Sequence, residues 1–216
     1  MQSLRLARAA GDVEAGAYTL ATMSLQAMLR GYPQEAIDMA QGAFDRARRH
    51  AAPRTLAFIK LAEARAHGRA GDSPAAGRAL AECEHLLDAV RPDRDPVHLA
   101  YMTHQRLSTD AAEIHTDLRQ PSAALRWSVQ AGPMSASDFA RATGIRHTVE
   151  AVAHLQIGDL SSALTAGTRA VAILSPVRSA RARGYLREAT TAFGPWRGQS
   201  DVEDFVHHAG RVLAGR

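Results

Sequence analysis

A single cysteine, Cys83, leaves this chain of 216 residues unable to form an internal disulfide or a thiolate zinc site, and suits it to a reducing cytoplasm. No uncharged apolar run approaches the roughly 18–20 residues that cross a bilayer, and the N-terminus lacks the apolar core and cleavage pattern of a signal peptide. Aromatic residues are only 5% of the total, and the β-branched and aromatic strand formers are sparse, which argues against a β fold. Asparagine is absent, and lysine occurs once, at Lys60, against 25 arginines. The pI near 9.8 therefore records arginine in place of lysine, because 22 acidic residues among the 26 basic ones leave a net charge of only +4. No glycine-rich phosphate loop, nucleophile elbow, zinc-protease helix or kinase signature appears.

What is there is alanine, about a fifth of the chain, with Leu, Arg, Glu and Gln: the composition of an all-α protein. Four segments share one frame of helix, short turn, helix: residues 17–43, 57–83, 105–131 and 144–170. One position of the first helix carries Ser24, Ala64, Ala112 and Ala151. Two positions of the second carry Ala36, Ala76, Ala124 and Ala163, then Ala43, Cys83, Ala131 and Ala170. Twelve small residues at corresponding places are what antiparallel helices need where their backbones approach to about 8–10 Å. Gly31, Gly71 and Gly158 mark the turns, with Arg119 in the third copy, and Asp12, Asp72 and Asp159 are placed to start second helices. Further helices are expected at residues 1–10 and within 178–213, the last opened by a capping box of Ser200 and Glu203. The whole of 1–216 reads as one domain.

This frame resembles the tetratricopeptide repeat, with small residues at its eighth, twentieth and twenty-seventh positions. It departs from that family in its spacings of 40, 48 and 39 residues against about 34, and in lacking the aromatic at the fourth position. The resemblance implies a right-handed α-solenoid of antiparallel helix hairpins. The phrases LARAAGD, APRTLAF, EARAHGRAGD and SARARGYLRE also resemble the C-terminal helical-repeat region of actinobacterial helix-turn-helix regulators. The DNA-binding domain of such regulators has no counterpart in this sequence, which fits either a truncated regulator or a stand-alone relative; for a stand-alone relative the resemblance implies only ligand sensing or partner binding.

Ten histidines are the least ordinary feature of the composition. His67, His115 and His154 occupy the eleventh position of the frame, one turn after Glu63, Ala111 and Glu150. His147, Glu150 and His154 follow one another at i, i+3 and i+7 on one helix face, a set of ligand types used by iron and zinc, to which His104 could add a fourth. The plainer expectation is that the eleventh-position imidazoles are half-buried ring slots that hydrogen-bond nearby glutamates. An enzyme on this scaffold would use Glu150, His154 and His115 as acid–base groups, with or without a divalent metal.

The favoured reading is a binding module without a cofactor, whose concave face takes a peptide, a partner protein or a small ligand. The groove-lining positions implied by the resemblance are occupied by Arg65, Arg69, Arg106, Thr109, Glu113, Asp117, Thr148 and Gln156. Arg178, Arg181, Arg183 and Arg187 read as a solvated charged face. With Tyr185 alone among them, they lack the aromatic interleaving of a nucleic-acid surface, and neither nucleic acid nor membrane is expected as a partner. A homodimer through exposed helix ends is compatible with either reading.

Overall fold

The computed structural model describes every residue except Met1, Pro92 and Arg216, and of Asp138 the backbone alone; Met1, the first residue of the expected terminal helix, thus lies outside the described residues. Among the described residues the chain forms eleven α-helices and no strand, an all-α helical-repeat fold. They fall into two compact units, Met1–Leu118 and Arg119–Arg216, where the sequence was read as one domain.

The first unit holds α1 (Gln2–Ala9), α2 (Val13–Leu29), α3 (Pro33–Ala47), α4 (Pro53–Ala70), α5 (Ser73–Asp88) and α6 (His104–Asp117). Helices α2 and α3 form one hairpin and α4 and α5 the next, and the first helices α2, α4 and α6 pack in sequence. The second unit holds α7 (Pro121–Gln130), α8 (Ala136–Gln156), α9 (Leu160–Leu174), α10 (Ala180–Ala192) and α11 (Ser200–Ala214). There α8 and α9 form a hairpin, α8 also packs against α7 and α10, and α9 packs against α11. Helix α8 is broken at Phe139, whose backbone leaves helical geometry at φ −129° and ψ 39°.

The frame read from the sequence is the frame of the core. All twelve of its small positions are buried, none more than 2% exposed. Ser24 also donates its hydroxyl to the Ala36 carbonyl at 2.7 Å, tying first helix to second inside one hairpin. Cys83 does the same toward the Ala57 carbonyl at 3.2 Å, and burial pushes its thiol up, away from the reactive thiolate.

The turns repeat as closely as the core. Gly31, Gly71 and Gly158 take φ of +86°, +79° and +82°, and Arg119 takes +56° at the corresponding place, the one non-glycine residue among those described with positive φ. Asp12, Asp72 and Asp159 cap the helices that follow by accepting the amides of Ala15, Ala75 and Ser162 at 2.9–3.0 Å. The capping box expected at Ser200 does not form. Extended Gln199 takes the cap position, which makes Ser200 the first helical residue and turns its hydroxyl toward Asp201.

The unit boundary runs through the expected third hairpin, so α6 and α7 belong to different units. The physical reason lies in where each helix spends its polar groups. Helix α6 directs its carboxylates back to arginines of α4, whereas the last carbonyls of α7 are held by Arg146 of α8.

Candidate functional site

Six of the eight groove residues expected from the sequence lie in the first unit, and five of them are engaged in ion pairs. Arg65, only 2% exposed on α4, donates to Asp110 Oδ1 at 2.9 Å and to Glu113 Oε1 at 2.5 Å, both carboxylates being buried on α6. Arg106 donates to the other oxygen of Asp110, and that neighbouring charge holds its guanidinium above the usual range. Arg69 pairs with Asp117 at 3.0 Å, one turn further along both helices. Thr109, the sixth, returns its hydroxyl to the Gln105 carbonyl. The result is a ladder of ion pairs between adjacent first helices, with Arg65 facing Glu113 and Arg69 facing Asp117 at equal positions of the frame. In the second unit Thr148 is buried with its hydroxyl on the Ile145 carbonyl, and Gln156 is half-buried.

The same face of the first unit is covered again at the second position of the frame. There Tyr18 and Phe58 meet His98 and Tyr101 of the connection between α5 and α6, ring centroids 5.0 and 6.5 Å apart. Buried Asp95 anchors that connection by accepting the amides of Arg54 at 2.8 Å and Arg91 at 2.6 Å.

The repeated Glu-x-x-x-His pairs are used differently from the sequence expectation. Glu63 binds Lys60 at 2.9 Å and leaves His67 at 3.8 Å. Lys60 lies over the Phe44 ring and also reaches Glu82; burial opposes its charge, but the two carboxylates hold its pKa above the ordinary value. His67 and His154 instead lean on the capping aspartates of the next helix, Asp72 at 3.7 Å and Asp159 at 3.5 Å, so the recurring partner sits in the turn. His104 meets Asp88 at 3.0 Å in the first unit, where His115 is half-buried.

In the second unit Glu150 is the centre of a closed network. His147 Nδ1 lies 2.7 Å from its Oε2, while Ser128 donates to Oε1 at 2.5 Å and Arg146 at 3.1 Å. Burial by itself would raise the Glu150 carboxyl; the hydrogen bonds of His147 and Ser128 and the charges of His147 and Arg146 outweigh it and hold the group at about 2. A carboxylate so stabilised is a poor proton acceptor at neutral pH. Arg146 completes the network by donating to the carbonyls of Gly132 at 2.5 Å and Ser128 at 2.6 Å, closing the end of α7. Both carboxylate oxygens of Glu150 and the Nδ1 of His147 are therefore engaged with protein partners. No group of three His, Cys, Asp or Glu side chains is placed to hold a metal among the described residues.

An open cleft of about 1000 Å³ lies between α9 and α11 of the second unit, which sequence reasoning did not single out. Its lining extends from Leu160 to Arg169 on α9 and from Gln199 to His208 on α11, and Gly167 of α9 lies against the Phe205 ring of α11. A methyl group at Gly167 would meet that ring at 2.9 Å, so glycine sets the close approach of the two helices. Leu160, Leu164 and Phe205 form the floor, Ser161, Thr165 and Thr168 one wall, and Asp201, Asp204 and His208 the other. Along α11, Asp201 and Asp204 precede His208 by about 10 Å and about 6 Å at 1.5 Å per helical residue, and Arg169 of α9 adds a second cation to the lining. Arg169 and Asp204 are exposed and make no ion pair among the described residues. The available signal was the i, i+4, i+7 row of hydroxyls on α9, easily taken for an ordinary solvated face.

Compared with protein-family models, curated proteins and solved structures, the chain matches none.

Proposed function

We propose that this chain is a helical-repeat regulatory binding module, and that its receiving surface is the α9–α11 cleft and not the first-helix face to which the frame pointed. The observation that carries this reading is a contrast in polar groups. Five of the six expected groove residues of the first unit are spent in ion pairs, while the cleft keeps exposed Arg169 and Asp204, which make no ion pair among the described residues, above an apolar floor. The partner is a peptide segment with a cation toward Asp201 and Asp204, an anion toward Arg169 and His208, and apolar side chains between them. The tetratricopeptide-like frame and the resemblance to the repeat region of helix-turn-helix regulators support a regulatory setting. The single buried Cys83 fits a reducing cytoplasm. No helix is long and apolar enough to cross a membrane among the described residues.

The test is fluorescence anisotropy with two labelled amphipathic peptides of identical composition, one with this charge order and one with it reversed. The wild-type protein binds the first more tightly, and the Arg169→Glu/Asp204→Arg double variant reverses the preference. Equal binding of both peptides by both proteins overturns the assignment of the cleft.

A further inference from the structure

A second concavity lies at the other end of the chain, in the first unit, and its chemistry differs from that of the cleft. It is a cavity of about 330 Å³ enclosed by α1, α2 and the end of α3, within the size range of small-molecule sites. Leu4 of α1 and Val13 and Leu20 of α2 give it apolar walls, and Gly16 widens it where α2 turns a bare backbone toward α1. Two arginines reach it from different helices, Arg8 from the last turn of α1 and Arg46 from the last turn of α3. Neither has an ion-pair partner among the described residues. The one carboxylate on the lining, Asp12, is occupied in capping α2 through the Ala15 amide at 2.9 Å.

Two unpaired guanidinium groups beside an apolar cavity are complementary to one kind of ligand. We infer that this cavity binds a small amphiphilic anion, with its apolar body against Leu4, Val13 and Leu20 and its carboxylate or phosphate head on Arg8 and Arg46. Arginine offers such heads paired N–H donors, and a charge-assisted contact of this kind changes affinity by about tenfold or more. Bound there, the ligand joins α1, α2 and α3, so occupancy is also read as a rise in the melting temperature. The inference is independent of the α9–α11 cleft, which belongs to the other unit.

The test uses octanoate, octyl phosphate and octanol below their micelle-forming concentrations, titrated by calorimetry into the full chain. Octanoate or octyl phosphate binds at least about tenfold more tightly than octanol, and the tighter of the two identifies the head group. The Arg8→Gln/Arg46→Gln variant, whose substitutions are on exposed side chains, loses that preference and keeps its helical circular dichroism. A Leu20→Trp variant, filling the cavity, weakens all three probes. Equal binding of octanoate, octyl phosphate and octanol overturns the inference, as does unchanged octanoate binding in the double variant. The latter result, with a lowered melting temperature, would mean that the arginines serve only their helix ends. Absence of binding by all three probes at millimolar concentration to the folded protein also overturns it.

Discussion

Replacing Arg65 by methionine tests the ion-pair ladder that takes the place of the expected groove. The guanidinium is 2% exposed and donates to both Asp110 and Glu113, themselves 3% and 6% exposed. Its removal leaves Asp110 with Arg106 and strips Glu113 of its arginine. Breaking a buried pair from one side costs about 3–5 kcal/mol, because an uncompensated charge stays behind, whereas removing both partners costs far less. Arg65→Met is therefore expected to lower unfolding free energy by about 3–5 kcal/mol, and Glu113→Leu by a comparable amount. The double variant should lose less than the sum of the two by about 1–3 kcal/mol. Urea unfolding followed by far-ultraviolet circular dichroism is the assay, since both tryptophans, Trp127 and Trp196, lie in the second unit and do not report on the first. A loss below about 1 kcal/mol for Arg65→Met, or strict additivity in the cycle, would refute the claim that these charges act as one buried network.

Arg119→Gly should raise stability by up to about 1 kcal/mol in the same assay, because a side chain at φ +56° carries a left-handed penalty that glycine avoids. Glu150 makes the second unit acid-sensitive. Its folded pKa of about 2 lies below the ordinary 4.5, so its contribution is present above the ordinary value and is lost as pH falls toward 2. Tryptophan-monitored unfolding should show that loss in the wild type and a flatter profile in Glu150→Gln. Arg146→Met should weaken the same unit by about 2–3 kcal/mol, since it removes charge-assisted bonds to two carbonyls at the end of α7. Elemental analysis of protein prepared without chelator or affinity tag should find no stoichiometric iron or zinc, because Glu150 spends both its oxygens on His147, Ser128 and Arg146. A stoichiometric metal lost in a His147→Ala/His154→Ala variant would overturn that assignment.

Much of the fold was legible because it rests on local chemistry that a sequence displays. Helix periodicity, a small residue wherever two helices touch, and a turn residue followed by a capping aspartate each act within a few residues. All twelve small positions and the four turns stand where that reading put them. Ser200 shows the limit of such reading: its capping box with Glu203 was plausible locally, and a start one residue earlier removed it. Arg65, Arg106, Glu113 and Asp117 were correctly gathered on neighbouring first helices, yet their use was not legible, since spacing along one helix does not say whether a charge meets solvent, a ligand or an opposite charge on the next. His147 and Glu150 were likewise placed together correctly. Ser128 and Arg146, which claim the carboxylate, enter from distant sequence and from an unremarked position on the same helix.

The sequence alone determined the helices, their hairpin frame and the residues that bring the pairs together, because these follow from propensity, periodicity and side-chain size. Tertiary structure decided which polar groups remain available. It closed the first-helix face of the first unit with its own ion pairs and its own connection, divided α6 from α7 between two units, and opened the α9–α11 cleft and the Arg8–Arg46 cavity. The physical reason is that burial and charge pairing are properties of neighbours in space, and residues such as Arg65 and Glu113 become neighbours only when the hairpins have packed.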